Sequence, residues 1–436
     1  MEKAGGLSPS ARGRFHWTAA VAAILVVGAC LRLVWGGDIE YKDDEAKFFA
    51  ESQRVQRLTD LSWSGQTASV GLPAAGMSVW VLVGLGKLFA ATDPVSLARA
   101  VQICNIVALA SLIGLIGLLV PPKERETWLW AAALAAVNPI TVLLHRKIWN
   151  PSVLPLLTVV LLAGWLRRDR RLGAFVWGLI GPCMGQIHAA GFFFAAGFAL
   201  WAALFDRRRV AWRAWLIGSC LGALPILPWL WQLASAPPTH APYHGDSWVH
   251  LLEFKFWVRW ISQALGFGVD YNIGSEQFGD LLRGPYVLGR PTYLVGALHA
   301  VVLAVAVGFL ARGAVLLWRQ RDLWRGRWTG GAGPSDFTLN AAWWGFGLLQ
   351  TLCCFPTHRH YLIILFPLQF LWLTRLALRR RNPEAAPRPA GRAALAVLWG
   401  AQLLITVSLL QYIHAHPRTG GEYGPTYASQ QAAWRR

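Results

Sequence analysis

Long apolar stretches separated by short arginine-rich loops are the feature that most constrains this chain. The hydrocarbon core of a membrane is roughly 30 Å thick, and a helix needs about 20 apolar residues to cross it. Several segments here approach that length. They cover residues 17–35, 97–120, 127–144, 152–166, 173–187, 189–205, 212–232, 293–317, 336–354, 361–378 and 393–413. The pattern predicts an all-α, polytopic membrane protein with about 11 transmembrane helices.

The basic composition fits a membrane protein better than a nucleic-acid binder. The chain has 41 Lys and Arg against 22 Asp and Glu, a net charge of +19, yet 55% of its residues are hydrophobic. Its cations lie in short runs between apolar stretches, whereas a nucleic-acid binder clusters them on polar faces. We therefore expect membrane lipids, and no nucleic acid, among its partners.

The arginine runs also predict an orientation. Cytoplasmic loops carry an excess of Lys and Arg, and the dense Arg runs here fall in alternate loops, around residues 167–171, 207–213, 319–327 and 379–392. The N-terminus is then inside. The outer side receives two long loops, 36–96 and 233–292, and the short loops 145–151 and 355–360.

We expect one transmembrane domain over residues 1–413, followed by a polar C-terminal tail, 414–436, on the outer side. Residues 74–91 are apolar enough to suggest another span, but that span would place the Arg-rich loops on alternating sides. We assign them to a juxtamembrane helix within the first outer loop.

The densest acidic stretch lies directly after the first predicted span. Residues 38–51 read DIEYKDDEAKFFAE. If a helix begins near Asp43, then Asp44, Lys47 and Glu51 share one face. A carboxylate beside a cation suits a general base that must stay ionised near an anionic substrate. The alternative is that these first-turn acids only cap the helix.

A cationic turn on the outer side breaks the positive-inside pattern. His145, Arg146 and Lys147 lie at a membrane face where cations need a reason, and a phosphate group would supply one. The alternative is that these side chains reach toward lipid headgroups. Asn150 follows as a substrate-binding candidate or a helix cap.

Two further polar groups interrupt apolar segments. Gln186 and His188 either bind sugar hydroxyls or hydrogen-bond the helix break created by Pro182 and Gly185.

A second outer cationic group comes just before a predicted span, at residues 358–361. Arg359 is a candidate phosphate contact, with His358 and Tyr361 beside it. His358 and His360 have a spacing that suits metal ligands, but no third ligand follows nearby. We predict no cofactor and no metal residues, and leave a divalent ion open.

Several motifs, in order, resemble one family. They are Asp44-Glu45-Ala46-Lys47-Phe48, GLPAAG at 71–76, HRKIWNPS at 145–152, Gln186-Ile187-His188, and HRHYLIILFP at 358–367. The chain from about residue 17 to 380 resembles the C-type (GT-C) integral-membrane glycosyltransferases, within the bacterial protein O-mannosyltransferase and lipid A aminoarabinose transferase group. The resemblance implies a GT-C-like fold in the bacterial inner membrane, with the N-terminus cytoplasmic and the C-terminus periplasmic.

The resemblance also implies an activity. The donor would be a sugar on a polyprenyl phosphate, and the transfer would be inverting and periplasmic. The acceptor, a lipid, glycan or protein, stays open. Asp44 takes the position of the catalytic base, Glu45 that of its acidic neighbour, and Lys47 that of a basic residue in the substrate site.

One departure from the family pattern concerns the donor phosphate. Relatives commonly carry Lys-Pro-Pro before the juxtamembrane helix, and this chain has Leu72-Pro73-Ala74-Ala75. We expect Arg146 and Lys147 to replace that lysine, with Arg146 the more important because guanidinium binds phosphate in a bidentate manner.

A multi-span transporter or flippase for an anionic lipid is the competing class. A carrier needs ionisable residues near the middle of its spans, and the predicted spans are almost free of Asp and Glu.

Overall fold

Helices dominate the chain in the computed structural model, which describes residues 9–67, 72–235, 254–319, 333–353, 357–378 and 389–435. The helices are α1 (Pro9–Leu33), α2 (Asp43–Arg54), α3 (Met77–Leu88), α4 (Pro94–Leu119), α5 (Pro122–Val137), α6 (Pro139–Leu144), α7 (Leu154–Leu166), α8 (Arg171–Ile187), α9 (Ala190–Phe205), α10 (Trp212–Ala223), α11 (Leu227–Ser235), α12 (Lys255–Ala264), α13 (Val269–Ile273), α14 (Ser275–Arg283), α15 (Leu294–Arg319), α16 (Pro334–Asn340), α17 (Gly347–Leu352), α18 (Leu368–Leu378), α19 (Pro389–Ala415) and α20 (Tyr427–Trp434).

Short irregular turns and two hairpins connect these helices. Turns of 3-10 helix lie at Gly36–Asp38, Leu58–Asp60, Asn150–Val153, Arg207–Arg209, Leu224–Ile226 and Arg359–Leu365, and Ala341–Phe346 forms a π-helical turn between α16 and α17. The strands are β1 (Ser64–Thr67), β2 (Pro73–Ala75), β3 (Tyr286–Val287) and β4 (Arg290–Pro291), and they pair as two antiparallel hairpins. The predicted all-α class is confirmed.

Helix α4 shows how the sequence sets a long helix. The side chain of Asp93 accepts hydrogen bonds from the backbone amides of Val95 and Ser96, and Pro94 occupies the first helical position. Asp is a favoured N-cap and proline is tolerated where the first amide has no helical partner. The helix ends at Leu119, two residues before Pro121. It therefore covers nearly all of the predicted span 97–120.

Breaks shorten several of the other predicted spans. The segment 127–144 is interrupted at Asn138, whose side-chain oxygen accepts a hydrogen bond from the amide of Thr141 and begins α6. The turn Arg359–Leu365 and α18 meet at 69°. Among the described residues, four helices are long and apolar enough to cross a membrane, or five if this bent pair is one span. The chain is a multi-pass membrane protein whose other apolar helices are shorter or broken.

The juxtamembrane segment of the first outer loop is α3. Its 12 residues span only about 18 Å at 1.5 Å per residue, too little to cross a bilayer. Its buried side chains, including Leu82 and Val83, face a core that α2, α4 and α8 share. The helix thus anchors the first outer loop.

Ion pairs mark the end of the molecule that carries the predicted inner loops. Three arginines there each bind one carboxylate, at distances of 2.5 to 2.6 Å. The pairs are Arg168–Asp206, Arg375–Asp336 and Arg392–Glu126. They connect neighbouring helices across the inner loops, which leaves the opposite end for the candidate site.

The C-terminal segment is folded, although the sequence predicted a polar tail. Residues Glu40 and Thr426 form an antiparallel bridge, and the amide of Tyr41 donates to the carbonyl oxygen of Pro425 at 3.3 Å. Residues 414–435 therefore pack on the first outer loop and belong to the same folded unit.

Candidate active site

The predicted outer loops meet around one cavity of about 830 Å³. It lies at the ends of helices from across the described chain, so residues more than 300 positions apart share its walls. The predicted site residues among those lining it are Asp44, Glu45, Lys147, Asn150, Gln186, His188, His358, Arg359 and Tyr361. The other polar lining residues include Glu40, Lys42, Asp43, Gln66, Tyr271, Asn272, Glu422 and Tyr423.

Asp44 stands at the N-terminal end of α2, where the chain enters the cavity. It is exposed and lies in the first turn of the helix. The capping role belongs to its neighbour, because the Glu45 carboxylate accepts the amide of Lys42 at 3.0 Å. Within the described residues, the carboxylate of Asp44 has no hydrogen bond or ion pair, so it is available to a substrate. The capping hydrogen bond at this end of the helix is therefore made by Glu45, and the assignment of Asp44 as the base stays a prediction.

Lys147 lies at the centre of a buried charged cluster. Its ammonium is 2.9 Å from a carboxylate oxygen of Glu40 and 3.2 Å from one of Glu45. Lys42 binds Glu40 from the other side at 3.1 Å. Burial lowers the pKa of Lys147, but the two carboxylates outweigh burial and raise it above its ordinary value. Lys147 therefore stays cationic beside the cavity.

Glu40 is a site residue that the sequence reasoning missed. Only 3% of its surface is exposed, and this burial raises the pKa of its carboxyl to about 7, against the opposing pull of Lys147 and Lys42. Such a group titrates near neutral pH. The available signal was its place in the acidic stretch, two residues after Asp38 and two before Lys42, but only the fold shows that it is buried.

Arg146 does not reach the cavity, which corrects the expectation that it binds the donor phosphate. Its guanidinium donates to the carbonyl oxygens of Leu31 and Trp35, both at 3.0 Å, and only 1% of the residue is exposed. The last carbonyls of a helix lack helical partners, and a nearby cation can satisfy them. Arg146 serves that role at the C-terminal end of α1.

His145 is also structural. Its ring nitrogen Nδ1 accepts a hydrogen bond from the Arg32 guanidinium at 3.1 Å, in a fully buried contact. Of the three consecutive residues that the sequence proposed as one cationic group, only Lys147 therefore enters the site.

Lys47 is a second correction. It shares α2 with Asp44 but is exposed on the helix surface, and it does not line the cavity. Glu51, predicted for the same face, binds Arg54 at 2.7 Å instead. The i, i+3, i+7 spacing placed these residues correctly on one helix. Lys47 and Glu51, however, lie beyond the first turn of α2 and do not line the cavity.

The polar residues at the α8–α9 break hold backbone groups. Gln186 donates to the carbonyl oxygens of Pro182 at 3.1 Å and Gly222 at 2.7 Å, and Asn150 donates to that of Ile187 at 2.5 Å. These bonds are what the helix-break interpretation expects. Both side chains still line the cavity, so they shape its wall while stabilising the break.

Aromatic rings and imidazoles form another wall of the cavity. The ring of His360 lies 4.4 Å from Trp149 and 4.7 Å from Tyr361, and His188 lies 4.8 Å from Tyr361, measured between ring centroids. His358 stacks on His360 at 5.4 Å. Within the described parts of the chain, no group of three or more His, Cys, Asp or Glu side chains could hold a metal ion.

Arg359 is the cation on this wall. Its guanidinium donates to the carbonyl oxygen of Phe267 at 3.2 Å and lies 5.3 Å from the ring of Tyr271. The close approach needs Gly268, which has a φ of +110° and no room for a Cβ beside the arginine. Arg359 is therefore held at the cavity by backbone and ring contacts, and no carboxylate of the described chain forms an ion pair with it.

Residues 236–253 of the second long outer loop lie outside the described part of the chain. Trp257 and Trp260 pack against Trp343 in the core rather than lining the cavity. Tyr271 and Asn272, at α13, line it instead. No local pattern marked these two residues, because their role depends on how α13 meets the C-terminal segment.

An apolar wall adjoins these polar groups. Leu72, Phe192, Phe193, Ile226 and Trp229 line it, next to the β2 strand. The positions that carry a lysine and prolines in the resembling family, Pro73 to Ala75, also line the cavity here and bring no charge. The first outer loop thus supplies acids, Lys42 and apolar contact, and Lys147 and Arg359 supply the other nearby cations.

Comparison with known proteins gives little further information. No family model matches the chain, and no curated protein matches it. Among solved structures, it is similar to the archaeal oligosaccharyltransferase AglB from Archaeoglobus fulgidus, solved with an inhibitory peptide and a dolichol-phosphate. The identity is 13% and the TM-score 0.42; the similarity covers 95% of this chain and 56% of that one. The chain thus spans little more than half the length of that protein.

Proposed function

We propose that the protein is a membrane glycosyltransferase that transfers a sugar from a polyprenyl-phosphate donor to an acceptor hydroxyl or amine. The observation that carries the proposal is that the five sequence motifs meet at one cavity. Residues from all five motifs that resemble the GT-C family line it, although they are spread from residue 44 to residue 361. Motifs that matched the family by chance would have no reason to line the same cavity.

The composition of the cavity fits a lipid-linked sugar. An apolar side at Phe192, Phe193 and Trp229 suits a polyprenyl chain, and rings such as Trp149 and Tyr361 suit the faces of a sugar. Carboxylates elsewhere in the lining, such as that of Asp44, suit an acceptor that must lose a proton. The cavity thus offers a place for each of the three parts of the reaction.

In the proposed reaction, Asp44 accepts the proton of the acceptor hydroxyl or amine. The acceptor oxygen or nitrogen forms a bond to the anomeric carbon, and the bond between that carbon and the phosphate oxygen breaks. The phosphate leaves with the bonding electrons, attached to its polyprenyl chain. A single displacement of this kind inverts the configuration at the anomeric carbon.

Lys147 and Arg359 are the cations that would stabilise the departing phosphate. Charge-assisted hydrogen bonds to phosphate are among the strong ones, and preorganised cations at a site of developing charge lower the barrier of the reaction. Lys147 is already held by Glu40 and Glu45, so it is placed before the donor arrives. Lys42, bound to Glu40, is the third cation of the wall.

The site is proposed to face the periplasm of a bacterial inner membrane. We base this orientation on the arginine runs, which fall in the predicted loops of one side, because cytoplasmic loops carry an excess of Lys and Arg. The N-terminus would then be cytoplasmic and the C-terminal segment, which helps to line the cavity, periplasmic.

The proposal is tested with purified protein in lipid nanodiscs. Lipid-linked sugars extracted from the native host are added together with its envelope fraction, and products are followed by mass spectrometry. We expect a glycosylated acceptor and free polyprenyl phosphate in equal amounts, absent with Asp44→Asn and present with Asp43→Asn. A protein that moves the intact lipid-linked sugar across vesicles, with no bond broken, would instead identify the flippase alternative and refute the proposal.

A further inference from the structure

The C-terminal segment holds the part of the first outer loop that leads into α2. We call residues 416–430 the C-terminal strap. The amide of Tyr427 donates to the carbonyl oxygen of Ile39 at 3.0 Å, and that of Tyr41 donates to Pro425. Glu40 forms an antiparallel bridge with Thr426. The strap therefore acts as an added strand along residues 39–41.

Side chains extend these contacts on both sides of the bridge. The hydroxyl of Tyr423 donates to the carbonyl oxygen of Asp38, and the Lys42 ammonium donates to that of Glu422. Burial raises the pKa of Tyr423, so its hydroxyl stays a donor. With these bonds, every residue from Asp38 to Lys42 is held by the strap, and Asp44 follows two residues later.

The strap also binds the second outer loop. The amides of Glu422 and Tyr423 donate to the carbonyl oxygens of Tyr271 at 3.1 Å and Asn272 at 2.8 Å. These two acceptors belong to α13, whose Tyr271 ring supports Arg359. One short segment thus joins the acidic wall of the cavity to the wall that carries Arg359.

We infer that the C-terminal strap is a fixed positioning element of the active site, in which Tyr423 sets the placement of Asp44 relative to the wall that carries Arg359. The inference rests on the proposed function. Tyr423 does not act on the reacting atoms; its hydroxyl fixes the loop from which Asp44 projects. Losing it frees a buried carbonyl and loosens residues 38–42, which displaces the base from its acceptor.

The first test compares two hydroxyl deletions within the same segment. Tyr423→Phe removes the bond to Asp38, whereas Tyr427→Phe removes a hydroxyl that, among the described residues, accepts a hydrogen bond only from Gln431 within α20. We expect Tyr423→Phe to lower kcat about tenfold with the donor KM within twofold. Amide hydrogen exchange across residues 41–47 should rise. Tyr427→Phe should change neither quantity.

The second test locks the strap in place. A Cβ at Gly37 would lie 3.4 Å from the Cβ of Ala428, a separation at the short end of the range that disulfides use. The variant Gly37→Cys/Ala428→Cys, oxidised, should transfer sugar within twofold of its reduced form, because a fixed element need not open. The two single-cysteine variants are the controls for each substitution.

These measurements separate the possible failures. Turnover that disappears on oxidation and returns with reductant would show a lid that must open, and would overturn the inference. So would a Tyr423→Phe protein with normal kcat. If the wild type transfers no sugar from any lipid-linked donor, the proposed function fails, and the exchange measurement still decides about the strap: unchanged exchange in Tyr423→Phe overturns it.

Discussion

At the inner end, arginine guanidiniums bind carboxylates of neighbouring segments, whereas at the outer end one ammonium, that of Lys147, is shared by Glu40 and Glu45 beside an open cavity. The inner pairs are Arg168–Asp206, Arg375–Asp336 and Arg392–Glu126, and Asp206 also lies 3.8 Å from Arg209. These inner charges are paired within the protein. At the outer end, Asp44 and Arg359 form no ion pair with the described residues. Under the proposed function, the inner charges stabilise the fold and the outer charges bind the substrate.

The largest effect should come from the free carboxylate. Asp44→Asn keeps the size of the side chain but removes the proton acceptor, and a positioned base contributes about 10² to 10⁴ in rate. We expect kcat to fall by that factor with little change in donor affinity, measured by steady-state transfer. Asp43→Asn is the matched control on the same helical turn and should lose less than threefold. Equal losses for both variants would show that the acidic cluster acts only through its total charge.

The next comparison separates two neighbouring cations. Lys147→Met should lower turnover at least tenfold, because a charge-assisted hydrogen bond contributes about 1.5 to 3 kcal/mol. Arg146→Met should leave turnover per folded molecule within threefold, but lower the melting temperature, because it strands the carbonyls of Leu31 and Trp35. Transfer rates and thermal unfolding in detergent measure the two effects. The reverse order would return the phosphate role to Arg146.

Those two residues also show what the sequence could and could not predict. The apolar runs placed the helices and the outer loops, because burial in lipid dominates the sequence pattern. The predicted topology also placed Asp44, Lys147 and Arg359 together on the outer side. Whether Arg146 faced a phosphate or the end of α1 depended on how two helices pack, and no spacing within the loop records that packing.

Contacts between residues far apart in the sequence could likewise not be predicted from it. Glu40 became a buried carboxyl because Lys147 and the C-terminal strap cover it, and Tyr271 reached the cavity through its contact with Glu422. The strap itself is polar, so hydropathy marked it as a tail. Its fold comes from backbone pairing with residues 39–41, which a single sequence does not reveal.

Glu40, at the outer end, should make the stability of the protein depend on pH. Its pKa is raised from 4.5 to about 7 in the folded protein, so the folded state holds the proton more tightly than the unfolded state does. The resulting stabilisation is present below pH 4.5 and is lost as the pH rises through 7. Melting temperatures of the wild type should therefore fall more steeply over this range than those of Glu40→Gln. Parallel curves would show that folding leaves the pKa of Glu40 at its ordinary value.

The smallest effect is expected at the inner end. Arg392 and Glu126 form a half-exposed pair at 2.6 Å, and exposed pairs contribute at most about 1 kcal/mol. Arg392→Ala should leave turnover unchanged and shift the melting temperature only slightly. A loss of transfer comparable to that of Lys147→Met would end the distinction between the two regions.

A cysteine at Ala74 tests most directly whether the cavity faces outward and binds a polyprenyl phosphate. Ala74 lines the cavity, and Cys353, which also lines it, is replaced by Ser in the same protein. A membrane-impermeant maleimide should label Ala74→Cys in intact spheroplasts, and added polyprenyl phosphate should slow the labelling at least fivefold. A control at Leu288→Cys, which is 98% exposed, should label equally with and without the lipid. Labelling that requires permeabilised membranes, or that the lipid leaves unchanged, would contradict the account.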